Sequence, residues 1–273
     1  MKPVVKWAGG KTQLLRHIDA LLPASFNHYF EPFFGGGALL LKLSSRASTV
    51  NDINPELVNM YVQIKRAPED VILALEDLDA RHENAVDAKH FYYFIRNMFN
   101  ESMGEHTPQQ AARLIYINKH CFNGLYRVNS KGFFNVPFNN KVKGKSFVSD
   151  DIYNLSEKFR TVTILLGDFE DAVSTARKGD FVFFDPPYAP LCPTSFTDYT
   201  KEGFGYDDHI RLATTYKELS GKGVYCMLTN NNTAFIQELY GDFSFTVVRV
   251  ARNINANASG RKGEEVIITN YAM

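Results

Sequence analysis

Asp185-Pro186-Pro187-Tyr188 follows directly on Phe181-Val182-Phe183-Phe184, a run with the length and composition of a buried strand. The two prolines stiffen the backbone as it leaves that strand. The Asp185 carboxylate and the Pro186 carbonyl are therefore expected side by side at its carboxyl end. Two acceptors fixed together suit an amino group with two N–H donors. The exocyclic amine of a nucleobase is such a group, but its lone pair is delocalised into the ring. Accepting both hydrogens orients the nitrogen so that its lone pair leaves the ring plane and faces an electrophile. Tyr188 offers a face for a flipped base, and such stacking is worth ~1–3 kcal/mol per base. The bland alternative is a rigid proline turn with a capping aspartate.

A second group of residues suits a nucleoside. Phe33-Phe34-Gly35-Gly36-Gly37 closes the short aromatic run Asn27 to Phe34, and Asp52 stands near the end of the next run, Ser48 to Ile53. Glycines at a strand's carboxyl end let a ligand approach the backbone, and an acid on the neighbouring strand can accept from a ribose diol. A dinucleotide fingerprint starting at Gly35 requires glycine at position 40, which is Leu40. Gly9-Gly10-Lys11-Thr12 resembles a phosphate loop, but the glycine that loop needs falls on Val5, with too little chain ahead for a strand. What remains is an adenosine-containing cofactor without a pyrophosphate.

Charge is distributed unevenly. Thirty Lys plus Arg balance thirty Asp plus Glu, yet no acid occurs from His106 to Ser149. That stretch carries Arg113, Lys119, Arg127, Lys131, Lys141, Lys143 and Lys145, interleaved with Tyr116, Phe122, Tyr126, Phe133, Phe134 and Phe138. A second acid-free stretch, Thr246 to Gly263, holds Arg249, Arg252, Arg261 and Lys262. Basic residues bind phosphates and aromatics stack on bases, so the pattern points to nucleic acid; the alternative is a solvated loop over core aromatics.

The elements that position these residues follow from punctuation. Strands are predicted at residues 27–34, 48–53, 161–166, 180–184, 224–228, 243–250 and 265–269, with a helix over Ala38 to Leu43 and another opening at Pro55. Strands alternating with helices predict an α/β fold with a mainly parallel sheet covered on both faces. Residues 56–145 read as an inserted module, helical and acidic at first, ending in a hairpin whose turn is Ser130-Lys131-Gly132. The expected division is 1–55 with 146–273 for the sheet domain and 56–145 for the insertion. Over 273 residues, 45% hydrophobic and 22% charged, the composition is that of a globular protein, not a collagen, a disordered tail or a disulfide-stapled miniprotein. Three separated cysteines, Cys121, Cys192 and Cys226, fit reduced thiols rather than a disulfide framework or zinc site. No apolar run approaches the ~18 residues of a membrane span, and a cytoplasmic protein is expected.

Closely and along nearly its whole length, the chain resembles the Dam family of DNA adenine methyltransferases, in the alpha-group order of amino-methyltransferases. The matching blocks are Lys6 to Lys11 (KWAGGK), Glu31 to Gly37 (EPFFGGG), Asn51 to Asn54 (NDIN), Phe122 to Phe138 (FNGLYRVNSKGFFNVPF), Gly167 to Phe169 (GDF) and Asp185 to Leu191 (DPPYAPL). The resemblance implies a Rossmann-like methyltransferase sheet with an inserted helical and β-hairpin DNA-recognition domain, S-adenosylmethionine as methyl donor, no metal, and adenine N6 within GATC as acceptor. It implies cofactor contacts from Trp7, Ala8, Gly9, Lys11, Glu31, Phe33, Gly35, Gly37, Asp52, Asp168, Phe169 and Asp185. Among these Asp52 would hold the ribose, and Asp168 with Phe169 the cofactor's adenine. Asp185, Pro186 and Tyr188 would be catalytic. Lys6, Asn123, Gly124, Leu125, Arg127, Asn135 and Pro137 would touch DNA, Arg127 reading a guanine edge or clamping a phosphate. The sequence departs from the family at Tyr126, where relatives vary, and at Asn139-Asn140-Lys141, which replaces a Gly-Arg-Tyr-like sequence.

The implied reaction is a direct in-line displacement onto a flipped adenine. The expected protein is a monomer acting on duplex DNA, alone or beside a cognate restriction endonuclease. Three rival readings share parts of the pattern: an RNA adenine methyltransferase, a protein-glutamine methyltransferase, which has no use for the acid-free hairpin, and a catalytically silent DNA-binding protein.

Overall fold

The computed structural model describes residues 2–7, 9, 14–44, 47–191, 203–251 and 262–272. Apolar runs between glycine, proline and acid punctuation form β1 (Tyr29–Glu31), β2 (Ser48–Asp52), β3 (Val162–Leu166), β4 (Phe181–Phe184), β5 (Tyr225–Asn231), β6 (Ser244–Ala251) and β7 (Lys262–Thr269). They make a seven-stranded sheet in the order β3-β2-β1-β4-β5-β7-β6. β1 runs parallel to β2 and β4, and β4 to β5; β7 is antiparallel to both β5 and β6. This is the mostly parallel α/β sheet expected. All four residues of β4 are buried, which is why that strand is continuously apolar instead of alternating.

The helices are α1 (Leu15–Ala20), α2 (Pro55–Arg66), α3 (Pro68–Glu83), α4 (Ala88–Glu101), α5 (Pro108–His120), α6 (Ser149–Phe159), α7 (Phe169–Val173), α8 (Tyr206–Gly221) and α9 (Ala234–Tyr240). The helix expected over residues 38–43 is a run of turns. Leu41 N–H bonds the Gly37 carbonyl at 3.1 Å and Leu43 N–H bonds that of Leu39 at 3.1 Å, but the pattern stops there. So few bonds do not offset the cost of nucleating a helix.

The chain divides into two compact units. The first comprises Met1–Gly10, Gly35–Ser45 and Asp52–Leu166; the second Lys11–Phe34, Arg46–Asn51 and Gly167–Met273. In the second unit, Phe30, Val182, Phe184, Leu228 and Ile268 of the strands bury against Leu212, Tyr216 and Leu219 of α8 and Ile236 and Tyr240 of α9. Each such side chain contributes roughly 1.5–3 kcal/mol on burial.

In the first unit, Asn54 caps α2 by accepting from Leu57 N–H at 3.0 Å, with Pro55 at the first helical position. Thr107 caps α5 in the same way through Gln110 N–H at 3.2 Å. Glu56 is buried and accepts from Gly104 N–H at 2.7 Å and from the Gln110 side chain at 2.9 Å, holding α2, the loop after α4 and α5 together. The predicted hairpin closes between Arg127 and Asn135. Gly132 N–H bonds the Asn129 carbonyl at 2.9 Å, Asn129 N–H the Phe133 carbonyl at 2.9 Å, and Asn135 N–H the Arg127 carbonyl at 3.1 Å.

Candidate active site

In the second unit, Asp185 follows the last residue of β4 and is half-buried, Pro186 is buried and Pro187 is exposed. β5 holds this corner in place. The Thr229 hydroxyl donates to Asp185 Oδ1 at 2.7 Å, Ala189 N–H donates to Asn230 Oδ1 at 2.9 Å, and Asn231 Nδ2 donates to the Ala189 carbonyl at 2.7 Å. Tyr188 is half-buried and donates its hydroxyl to Glu265 Oε2 of β7 at 3.1 Å. Burial, with the negative charges of Asp185 and Glu265 beside it, pushes the Tyr188 hydroxyl well above its ordinary range, so it stays a neutral donor. The corner therefore presents an acceptor carboxylate and an aromatic ring, each fixed from behind.

The same unit carries Glu31, Phe33, Asp168 and Phe169. Glu31 ends β1, is buried and accepts the Tyr29 hydroxyl at 2.9 Å; burial and this neighbour raise the Tyr29 hydroxyl far above its usual range. Phe33 stacks on Phe169 with ring centroids 5.4 Å apart. Asp168 caps α7 by accepting from Glu170 N–H at 2.9 Å, and its other oxygen accepts from Arg211 Nη2 at 2.8 Å. The Arg211 guanidinium also lies over the Phe169 ring, 4.7 Å from its centroid, so one cation of α8 orients both residues.

In the first unit, Asp52 collects backbone donors at the end of β2. Gly35 N–H donates to its Oδ2 at 2.8 Å and Asn54 N–H to its Oδ1 at 2.9 Å. Burial pushes this carboxyl above the ordinary carboxylate range, and the N–H groups of Asn54, Gly35 and Ile53 pull it back. A carboxylate has about four acceptor positions, which leaves room for a hydroxyl. Ile53, next in sequence, is 78% exposed and offers apolar surface beside the acid. Gly35 adopts φ +49, and a Cβ there would lie 3.0 Å from Trp7 Cδ1, so only glycine lets the indole rest on the turn. Gly37 is buried, with φ +67. An acid with spare acceptor capacity and apolar surface beside it fits a nucleoside.

The loop before the hairpin belongs to this unit too. Asn123 and Gly124 both take left-handed φ, 57 and 66, turning the chain sharply after α5. A Cβ on Gly124 would meet Lys6 Cδ at 2.6 Å. Asn118 of α5 pairs with the Lys6 backbone in both directions, accepting from its N–H at 2.8 Å and donating to its carbonyl at 2.9 Å, and donates to the Gly124 carbonyl at 3.1 Å. The exposed Arg127 gives its Nε–H to Asn135 Oδ1 at 2.8 Å, which fixes the guanidinium plane and leaves its terminal fork for a ligand. Leu125 and Pro137 are exposed, and the Pro137 carbonyl accepts from Phe122 N–H at 2.8 Å.

Within the first unit the structure thus gathers Lys6, Trp7, Gly35, Asp52, Asn123, Gly124 and Arg127, and within the second Phe33, Asp168 and Phe169, with Asp185 and Tyr188 on the corner. Gly9 is exposed; Ala8 and Lys11 lie outside the described residues. Sequence reasoning passed over Thr229, Asn230, Asn231, Asn118 and Arg211. The first three had a signal: Thr-Asn-Asn continues the apolar strand Tyr225 to Leu228, and polar residues that remain strand and stay buried must be bonding something. Asn118 likewise interrupts a buried apolar helix face. Arg211 had none: its local partner Asp208, three residues back at 3.3 Å, reads as an ordinary helical ion pair, and Asp168 and Phe169 lie about forty residues away.

Residues 7–254 match the family described as D12 class N6 adenine-specific DNA methyltransferase. The chain is 43% identical over 277 residues to the type II methyltransferase M1.LlaDCHI of Lactococcus lactis subsp. cremoris, covering 99% of this chain and 96% of that one. It is 40% identical over 290 residues to the type II methyltransferase M.MjaIII of Methanocaldococcus jannaschii, covering 99% of each chain. It is 34% identical over 269 residues to the DNA adenine methylase of Serratia marcescens, covering 98% of this chain and 97% of that one. The family that the resemblance implied is thus shown, and the chain belongs to the D12 class N6 adenine-specific DNA methyltransferases.

Proposed function

We propose that the protein transfers a methyl group from S-adenosylmethionine to N6 of an adenine flipped out of duplex DNA, within GATC. The observation that carries this reading is the corner at Asp185, a partly open carboxylate fixed by Thr229 beside an aromatic ring fixed by Glu265. Asp185 and the Pro186 carbonyl accept the two N6 hydrogens and turn the nitrogen lone pair outward, while Tyr188 stacks on the base. When bound, S-adenosylmethionine supplies an electrophilic methyl carbon on a sulfonium. Asp52 accepts from its ribose, Asp168 and Phe169 hold its adenine, and Trp7, Gly35 and Gly37 border its methionine part. Flipping costs a few kcal/mol in stacking and pairing; alignment and preset dipoles lower the barrier without a metal. Residues 56–145 recognise DNA, with Arg127 giving its fork to a guanine edge and the lysines after the hairpin meeting phosphates. The type II relatives favour a partner restriction endonuclease. No helix among the described residues is long and apolar enough to cross a membrane, and the reading places the enzyme in the cytoplasm.

The test is transfer of labelled methyl to matched duplexes with and without GATC, and to structured RNA. Transfer confined to the GATC duplex is expected, and Asp185→Ala should abolish it while DNA still binds. Equal labelling of both duplexes would remove the GATC assignment, and labelling of RNA alone would make the chain an RNA methyltransferase. Arg127→Ala is expected to narrow discrimination between GATC and altered sites at least tenfold, in line with ~1–3 kcal/mol for a bidentate guanine contact. An equal loss on all duplexes would make it a phosphate clamp.

A further inference from the structure

Within the first unit, four residues form a chain of contacts that joins the nucleoside-holding turn to the DNA-reading loop. Gly35 N–H donates to Asp52 Oδ2 at 2.8 Å, and Asp52 Oδ1 accepts from Asn54 N–H at 2.9 Å. The Tyr126 ring stacks on the Trp7 indole, centroids 4.8 Å apart and planes at 27°. The indole in turn rests on Gly35, so close that a Cβ there would stand 3.0 Å from it. Tyr126 is also held from the hairpin side by the buried Phe134 ring, 5.6 Å away. It lies between Leu125 and Arg127, so its orientation sets the backbone from which the Arg127 fork is aimed.

We infer that Tyr126 is a positioning residue that couples the two ligands: ordering the Gly35–Asp52 turn around a nucleoside fixes Tyr126 and thereby preorganises Leu125 and Arg127 for DNA, and DNA binding does the reverse. This rests on the reading above that Asp52 holds the cofactor's ribose and Arg127 touches DNA. The physical basis is that stacked rings and hydrogen bonds in one contiguous chain share their ordering cost, so whichever ligand binds second pays less of it. Linkage requires the two effects to be equal.

The experiment measures the dissociation constant of S-adenosylhomocysteine by calorimetry without and with a GATC duplex, and that of the duplex by anisotropy without and with S-adenosylhomocysteine. In the native protein each ligand is expected to tighten the other by the same factor, about fivefold or more. In Tyr126→Ala that factor should fall to about one, with each ligand still binding alone. Tyr126→Leu, which keeps an apolar side chain and loses the stacked ring, should do the same, and it carries the test if the alanine variant does not fold. The inference is overturned if the native protein binds the two ligands independently, or if Tyr126→Ala or Tyr126→Leu keeps the full native factor. A native protein that bound no S-adenosylhomocysteine at all would instead sink the cofactor reading itself, and the coupling with it.

Discussion

Asp185 takes a hydrogen bond from Thr229 on one carboxylate oxygen, which fixes the carboxylate's plane before any base arrives. Removing a donor to a charged group costs about 1.5–3 kcal/mol, and under the proposed mechanism the loss falls on the orientation of the attacking nitrogen. Thr229→Val, nearly isosteric, is therefore expected to lower kcat about tenfold while leaving the dissociation constants for cofactor and duplex near native. Single-turnover rates and binding titrations check this; a weaker affinity with native kcat would make Thr229 a packing residue only. The corner at Asp185 was legible from Asp-Pro-Pro-Tyr, because two prolines restrict the backbone within a few residues. Thr229 was not, because which strand lies behind the corner depends on sheet order.

At the scale of elements, α3, α5 and the chain after the hairpin meet at a buried pair of histidines. His82 Nδ1 lies 2.6 Å from the Tyr116 hydroxyl, His120 Nε2 lies 3.1 Å from Ser146 Oγ, and the two ring centroids are 4.3 Å apart with the planes tilted by 34°. Ser146 is bonded in turn to Asp79, through its N–H at 2.9 Å and through its hydroxyl. Burial, then the neighbouring His82 and Lys119, hold His120 down at about 3, and burial lowers His82 although Asp79 opposes it. His120 is neutral when folded and takes a proton when unfolded near pH 6.5. Its contribution to stability is thus fully present above that pH and is lost as pH falls toward 3, by up to ~1.4 kcal/mol per pH unit, and the lowered His82 acts in the same direction. His120→Gln should flatten the dependence by about one proton, read from urea midpoints between pH 7 and 4. An unchanged slope would show that His120 is already protonated in the fold.

At the scale of the whole molecule, a chain of zero net charge binds a polyanion only by segregating its charges. Lys141, Lys143 and Lys145 are all exposed on the chain after the hairpin. Each phosphate neutralised contributes about 0.9 to the slope of log affinity against log salt. Replacing these three lysines by alanine should reduce that slope by roughly 2–3, equally on GATC and unrelated duplexes, in a salt series of anisotropy titrations. An unaltered slope would place the DNA elsewhere.

What the amino-acid sequence determined by itself is whatever local chemistry dictates. Buried strands such as Phe181 to Phe184 are continuous apolar runs, Asn54-Pro55 starts a helix, and Ser130-Lys131-Gly132 turns a hairpin. The corner at Asp185 and the acid at Asp52 stand out because proline and strand ends restrict the backbone within a few residues. The run Ala38 to Leu43 looked helical for equally local reasons, but it is too short to offset helix nucleation and forms turns. Only the tertiary structure decided which distant groups support these residues: Thr229 behind Asp185, Arg211 on Asp168 and Phe169, Asn118 on Lys6, and the stack of Trp7 on Tyr126. Those pairings join positions 42 to 119 residues apart. They depend on chain reversals that no local periodicity encodes, since contact across such loops is settled by how whole elements pack.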